Sequence, residues 1–540
     1  MSIDSTNAAA AERIHDKIQT RMSDHEPEVL DTLRRVVSGE QSMPETLSPV
    51  ERDDVIRLFQ WVIDTGLLPI ATTLRPLIVE ALEYADDWGW RPVDPEFAAN
   101  LPDFREMTKR EWTRLAVLFI AYVFYDDFHY PQPETGCYDI GDAWQKLEWV
   151  YRYWFNQLEV AERGSDLEGF FAEQRLDAVA GSGESAARVS LSCGGDLLAV
   201  DVLTPENTPH LFDAIVDFYS SADIVSANLE STVDESRKIG RDQDRGMPAR
   251  MNTSEAMFDK FCDEAGINYF AVATNHALDW GAEGVHATLE VLRKSSALHS
   301  GTAGSAEEQE DVPITDTNGV KVALLSYTFD LNGRPLPSDE PYLVNEVRFN
   351  DVDPAPDYSL IERQVAAARA KGADHIVAYC HWGWEFEMYP HVNIRDAAQA
   401  VIDCGVDTIL GNHPHVSQPA ELIPREDASP ALVVYAFGDF VSYHPDSRNS
   451  KLAYLVKFDI VKEDADDGSR THIENLESFP IYIVNADLGD RRFDCRIVPF
   501  ADVLASPESF GLTDLEKEQL PHLEEKVWTH ILSPISEVAG

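Results

Sequence analysis

The chain has 540 residues, with 95 Asp+Glu against 44 Lys+Arg, a formal charge of −51 and a pI near 4.5. Acidity on this scale repels phosphate backbones and anionic lipid, which excludes a nucleic-acid partner and docking on a membrane surface. The 44% hydrophobic content is enough for packed cores and excludes wholesale disorder.

Length alone suggests roughly two to four domains. The acid is spread along the chain, as in Asp24–Glu26–Glu28, Glu307–Glu308 and Asp464–Asp466–Asp467, and only 13 of the basic residues are Lys. In ~1 M salt the Debye length is about 3 Å, so such self-repulsion is screened. The composition therefore resembles that of a halophilic, salt-in organism. The six cysteines form no CxxC, which argues against a disulfide scaffold or a thiolate zinc site. Residues 1–30 hold no apolar signal core, and no run of about 18 apolar residues occurs. A cytoplasmic protein without a transmembrane segment is expected.

Residues 1–180 read as a helical accessory domain. Helical stripes run through Glu51–Asp64 (Val55, Ile56, Leu58, Phe59, Val62), Arg110–Phe124 and Asp142–Leu158. Seven of the eleven tryptophans lie here, suited to the cores and joints of a helical bundle or to an aromatic groove for a protein partner or a substrate. Ala180–Ser190 is small and polar, a linker. Strands and helices then alternate. Strands are expected at Val189–Cys193, Ile224–Ala227, Tyr269–Ala273, Lys321–Tyr327, His375–Cys380, Thr408–Leu410 and Ala431–Phe437. Helices are expected at Leu211–Ser221, Glu255–Ala265, Ala282–Lys294, Leu360–Lys371 and Ile394–Cys404. Leu452–Ile460 and Ile481–Phe500 read as strands of a closing sheet. An amphipathic helix, Leu515–Leu532, lies in a C-terminal extension, 501–540. The α/β domain is placed at 188–500, with its sites at the carboxyl ends of the strands.

Five of those strands end in groups that carry chemistry: Gly194–Gly195–Asp196, Asn228–Leu229–Glu230, Thr274–Asn275–His276, His381–Trp382–Gly383–Trp384–Glu385 and Gly411–Asn412–His413–Pro414–His415. Converging strand ends of one sheet would place them in one cavity. Imidazoles mixed with carboxylates suit Mn²⁺, Fe or Zn²⁺ better than Ca²⁺. In His413–Pro414–His415, strand alternation would aim both rings to one side, with Pro414 stiffening the turn. His375 and His391 lack a partner pattern and read as structural, His286 reads as a solvated or packing residue in mid-helix, and Cys193 and Cys380 read as small core residues inside apolar strands.

The order GGD, NLE, TNHALDWG, HWGWEF and GNHPH resembles the CapA family of capsule and poly-γ-glutamate biosynthesis proteins, a branch similar to the calcineurin-like metallophosphoesterases. The resemblance covers roughly residues 188–445. Ser326–Tyr327–Thr328 with Asn332–Gly333, the Gly301–Ala303–Gly304 turn and Tyr435–Phe437–Gly438–Asp439–Phe440 extend it. It implies an α/β, layered metallophosphatase-like β-sandwich flanked by helices, here preceded by an all-α N-terminal domain. It implies one or two divalent metal ions held by Asp196, Glu230, Asn275, His381, His413 and His415. It makes His276 the proton donor, oriented by Asp279, and places Asn228, Trp382 and Glu385 at the substrate. The related phosphoesterases open with Asp-x-His, whereas the position of that His is Leu198 here, so one ligand of the first metal is missing. The implied activity is hydrolysis of a phosphoester by metal-activated water with His276 as general acid. The alternatives are biosynthesis or processing of poly-γ-glutamate at γ-glutamyl amides, with Arg334 and Arg395 as a basic rim, and a non-catalytic metal-stabilised scaffold. The substrate is a small molecule or a polymer.

Overall fold

The computed structural model describes residues 3–66, 68–87, 107–132, 136, 138–176, 187–244, 247–426, 428–465 and 468–539. Most of the expected linker, with Trp88, Trp90 and Cys137, lies outside them. The chain divides into two compact units. One comprises Met1–Gln132, Tyr138–Leu158 and Gln243–Ala249. The other comprises Pro133–Cys137, Glu159–Asp242 and Arg250–Gly540.

The first unit is helical. Its longer helices are Ile3–Asp24, Glu26–Ser38, Pro49–Thr65, Leu68–Asp87, Lys109–Val123 and Ala143–Trp154. Capping boxes fix two of the starts, Ser48 with Glu51 and Thr108 with Glu111. The expected stripe is buried at Val55, Leu58, Phe59 and Val62, and Phe59 meets Tyr122 edge-on at 5.2 Å. Trp112 and Trp154 are core side chains, and the Lys17 ammonium lies 3.2 Å from the Trp144 ring centroid.

The second unit carries the strands. In chain order they are β1 (Ala187–Leu197), β2 (Ile224–Leu229), β3 (Gly240–Asp242), β4 (Arg250–Asn252), β5 (Tyr269–Ala271), β6 (Leu298–Ser300), β7 (Ile314–Thr317) and β8 (Val320–Thr328). They continue as β9 (His375–His381), β10 (Thr408–Asn412), β11 (Ala420–Ile423), β12 (Ala431–Val434), β13 (Asp439–Val441), β14 (Leu452–Ala465), β15 (Gly468–Gly489) and β16 (Arg492–Pro499). One sheet runs β16-β15-β14-β1-β2-β5-β6, with β13 also pairing with β1. A second runs β11-β12-β10-β9-β8-β7, and β3 pairs with β4 in a short third. Neighbours among β1, β2, β5 and β6 are parallel, as are neighbours among β8, β9, β10 and β12. Parallel neighbours need crossovers, and Gly281–Ser295, Ser359–Ala370 and Val392–Asp403 supply helical ones. The sheets pack face to face: Tyr269 of β5 and Tyr379 of β9 lie 4.9 Å apart, and His375 of β9 bonds Thr471 of β15. This is the expected layered α/β sandwich with helices.

Four local expectations are revised. Leu211–Ser221 is helical only at Val216–Tyr219, with turns before it. Ile481–Phe500 is two strands, β15 and β16, reversed at Asp490 and Arg491, both with positive φ. The end of the expected linker, from Ala187, is already β1. The C-terminal helix is α-helical over Asp514–His522 and π-helical over Leu523–Ile531, the change following Pro521. Among the described residues no helix is long and apolar enough to cross a membrane.

Glu159 ties the segment after β13 to the C-terminal helix. It accepts from Asn449 at 2.8 Å, from Arg448, and lies 2.9 Å from the His522 ring. Burial alone would raise its pKa, but these donors outweigh burial and hold it down at about 2. A depressed carboxylate contributes stability that is present above its unfolded value and lost as pH falls toward its folded one. Between pH 4.5 and 2, wild-type stability should therefore fall by about 3 kcal/mol more than that of Glu159→Gln, read from denaturant titrations in concentrated salt.

Candidate metal centre

The chemistry-bearing groups gather where the carboxyl ends of strands from both sheets meet. β1, β2 and β5 of one sheet deliver Asp196, Glu230 and the Asn275–His276 turn, while β9 and β10 of the other deliver His381 and His413. The convergence thus spans two sheets, not the one sheet the sequence suggested. β13 lies parallel beside β1, with Asp196 opposite Asp439. Only glycine allows that approach: a Cβ on Gly195 would sit 1.8 Å from the Gly438 carbonyl oxygen. β10 ends at Asn412, so the His-x-His pair is not strand. His413 has φ 107° and His415 φ 55°, a conformation that L side chains rarely adopt. Positive φ, not strand alternation, brings both rings to the centre, their centroids 6.0 Å apart.

Asp196, Glu230 and Asp439 are all fully buried. Asn228 bridges two elements, donating to Asp196 Oδ1 at 2.9 Å and lying 3.0 Å from His381 Nδ1. His381 Nε2 faces Asn275 Oδ1 at 2.9 Å and Glu230 Oε1 at 3.4 Å. The His413 amide donates to Asp196 Oδ2 at 3.2 Å. His415 Nδ1 lies 2.9 Å from Asp439 Oδ1, and its Nε2 lies 3.7 Å from Glu230 Oε1. Three overlapping groups could each hold a cation, since they offer donor atoms within 4.8 Å of one another: Glu230–His381–His413, Asp196–Glu230–His415–Asp439 and His415–Asp439–His444.

The electrostatics match a cation-binding pocket. Burial pushes Asp196 up to about 7, and burial with the nearby Asp196 charge holds Glu230 well above the carboxylate range. Burial and neighbouring imidazoles hold His381 and His413 well below their usual value. Burial would lower His415 too, but Glu230 and Asp439 hold it well above. Both Glu230 oxygens and His413 Nδ1 are sealed from solvent without a hydrogen-bond partner. Mixed imidazole and carboxylate donors left unsatisfied in a buried pocket fit a divalent metal.

Beside these groups, His276 Nδ1 lies 2.7 Å from Asp279 Oδ2. Asp279 also accepts from the Met251 amide at 2.7 Å and pairs with Arg334 at 3.1 Å. Glu385 is half-buried, and its charge acts on both Glu230 and His415.

Three expectations are corrected. Trp382 cannot line a substrate mouth: it is fully buried, donates to the Tyr435 carbonyl at 3.0 Å and stacks on that ring. Asn228 is 3% exposed and positions Asp196 and His381 instead of meeting substrate. Arg395 is no free rim charge, since it bonds Glu421 at 2.7 Å and lies over Phe170. His375 and His391 are structural as expected, bonded to Thr408 and Glu387. Sequence reasoning gave no role to Asp439 or His444. The available signal was Gly438–Asp439 following a buried strand, as Gly195–Asp196 ends β1.

Residues 190–444 match the family described as bacterial capsule synthesis protein PGA_cap. Over 277 residues the chain is 26% identical to the capsule biosynthesis protein CapA of Bacillus anthracis, covering 50% of this chain and 63% of that protein. Over 297 residues it is 25% identical to the PGA biosynthesis protein CapA of Bacillus subtilis (strain 168), covering 54% of this chain and 73% of that one. The chain therefore spans less than two thirds of the Bacillus anthracis relative. The solved structure of TT1561 of Thermus thermophilus aligns at 12% identity with a TM-score of 0.29, over 50% of this chain and 93% of that one, a likeness too slight to carry an argument. Residues 190–444, which contain every side chain of the three groups, are thus the part of this chain that is similar to the capsule synthesis family and to the two CapA proteins.

Proposed function

We propose that this protein is a metal-dependent enzyme of capsule-type polymer metabolism that cleaves or transfers γ-glutamyl amide bonds of an acidic polymer. The observation that carries the reading is the buried set Glu230, His381 and His413, whose unsatisfied atoms adjoin the Asp279-backed His276. The relatives named for capsule and PGA biosynthesis support the polymer. Asp196, Glu230, Asn275, His381, His413 and His415 are the proposed ligands, for Mn²⁺, Fe or Zn²⁺. A divalent cation bound there supplies Lewis-acid polarisation of the scissile group and a stronger nucleophile from water.

The remaining steps belong to the chain's own residues. Asp279 takes the Nδ1 side of His276 and fixes its tautomer, leaving Nε2 to give a proton to the departing nitrogen. Arg334 and the Met251 amide keep Asp279 in place. Asn228 keeps Asp196 and His381 in register. Glu385 stands at the mouth. The helical unit is the proposed docking element for a protein partner.

A second reading is phosphoester hydrolysis. It is favoured by one feature: Glu230 is shared between two of the donor groups, an arrangement suited to clamping a phosphoryl oxygen. Inorganic phosphate should compete in that case and leave γ-glutamyl cleavage untouched in the first.

His276→Ala should lower turnover by about 10²–10⁴-fold while leaving metal content unchanged. Assays belong in concentrated salt, with γ-glutamyl peptides and phosphoesters in parallel and metal measured by mass spectrometry. Unchanged turnover without His276 would remove it as proton donor, whereas cellular function that survives His276→Ala while His413→Ala abolishes folding would point to the scaffold reading.

A cation must displace the protons that burial places on Asp196 and Glu230. Below about pH 7 the ion-free site keeps the Asp196 proton, so apparent Mn²⁺ affinity should rise from pH 6 to pH 7, by up to about tenfold per pH unit for each proton released. Calorimetric titration of chelator-stripped protein checks this, and a pH-independent affinity would contradict the ligand set.

A further inference from the structure

β8 lends the centre no proposed ligand, yet the sequence marks its end with Ser326–Tyr327–Thr328 and, just beyond, Asn332–Gly333. Both stretches reach across to the loop after β5, the strand of the other sheet that delivers Asn275 and His276. Ser326 Oγ accepts from the Ala273 amide at 3.2 Å. Past β8 the chain folds into a tight turn. The Thr328 hydroxyl donates to the Asp330 carbonyl, the Gly333 amide to Asp330 Oδ2 and the Arg334 amide to the Leu331 carbonyl, each at 3.0 Å. Leu331 anchors the turn, buried in one cluster with Ala273, Ala277 and Leu278 of the β5 loop. Turn and loop thus share an apolar base.

Asn332 stands half-buried above that base with φ 53°, a conformation Asn adopts more readily than most residues. Its Oδ1 accepts from Asn275 Nδ2 at 3.3 Å, and its Nδ2 lies 3.5 Å from His276 Nδ1. Asn275 is buried, and its other end points inward: Oδ1 lies 2.9 Å from His381 Nε2, which is 3.4 Å from Glu230 Oε1. The two ends of a side-chain amide are alike in shape but opposite in chemistry, since the oxygen attracts a cation and the NH₂ repels it. Shape does not choose which end enters the pocket; the hydrogen-bond partner does.

We propose that Asn332 is a positioning residue of the centre: by accepting from Asn275 Nδ2 it turns the Asn275 carbonyl oxygen toward His381, Glu230 and the cation they hold. The assignment rests on the metal-dependent reading above, in which Asn275 is a ligand. It gives the turn after β8 a task at the site, performed from the second sheet on a loop of the first. Asn332 itself touches no cation.

The test is calorimetric titration of the full chain, stripped with chelator, with Mn²⁺ in concentrated KCl. Asn332→Gly removes the acceptor without straining the turn, because glycine enters positive φ freely. It should weaken Mn²⁺ binding by about 10–100-fold. Asn332→Asp keeps an acceptor for Asn275 Nδ2 and should bind Mn²⁺ at least as tightly as wild type. In Asn275→Ala, which has no amide to orient, adding Asn332→Gly should cost no further affinity. Far-UV circular dichroism of the ion-free proteins checks that each variant folds. If Asn275→Ala binds too weakly to titrate, the contrast between Asn332→Gly and Asn332→Asp decides. Wild-type affinity in folded Asn332→Gly, or an equal loss in Asn332→Asp, would overturn the proposal and leave the metal-dependent reading standing. So would the same loss with and without the Asn275 amide, which would make Asn332 a brace of its own turn. A wild-type chain that takes up no Mn²⁺ would overturn both.

Discussion

Three carboxylates with no solvent exposure, Asp196, Glu230 and Asp439, converge at the carboxyl edges of two sheets. Removing a charge from water costs several kcal/mol unless an opposite charge and hydrogen bonds replace the hydration. The positive partners facing them are imidazoles, above all His415. Much of the surrounding architecture serves this concentration of charge. Gly195 lets β13 close on β1, Asn228 locks Asp196 to His381, and the backbone at His413 and His415 adopts positive φ to aim both rings inward. A divalent cation is the counter-charge that such a pocket accommodates with least rearrangement.

Much of this was legible in the chain. The period of Val55, Leu58, Phe59 and Val62 marks a helix because burial on one face repeats every three to four residues. Strand ends terminating in Asp196, Glu230, His381 and His413 are visible because buried strands are short apolar runs and the polar residue after each stands out. What could not be read was how the runs combine. Their division between two sheets depends on hydrogen-bond pairing, which no local pattern encodes. Trp382 looks like a mouth residue beside His381, yet the fold turns its ring under Tyr435.

The missed groups have the same origin. Asp439 matters because β13 pairs with β1, a contact between segments far apart in sequence. His444 matters only through that pairing. Leu211–Ser221 fails as a helix for the opposite reason: its apolar residues satisfy the period, but Leu211, Phe212, Ile215 and Tyr219 are buried in the core chiefly through turns. Tertiary burial there overrides local propensity.

Glu159 sits at a crossroads. It holds Arg448 and Asn449, a few residues beyond His444, and also His522 in the C-terminal helix. The segment that follows His444 and the helix Asp514–His522 are therefore fastened to a single carboxylate. Protonating Glu159 in acid would weaken its hold on both segments at once, so the two should loosen together.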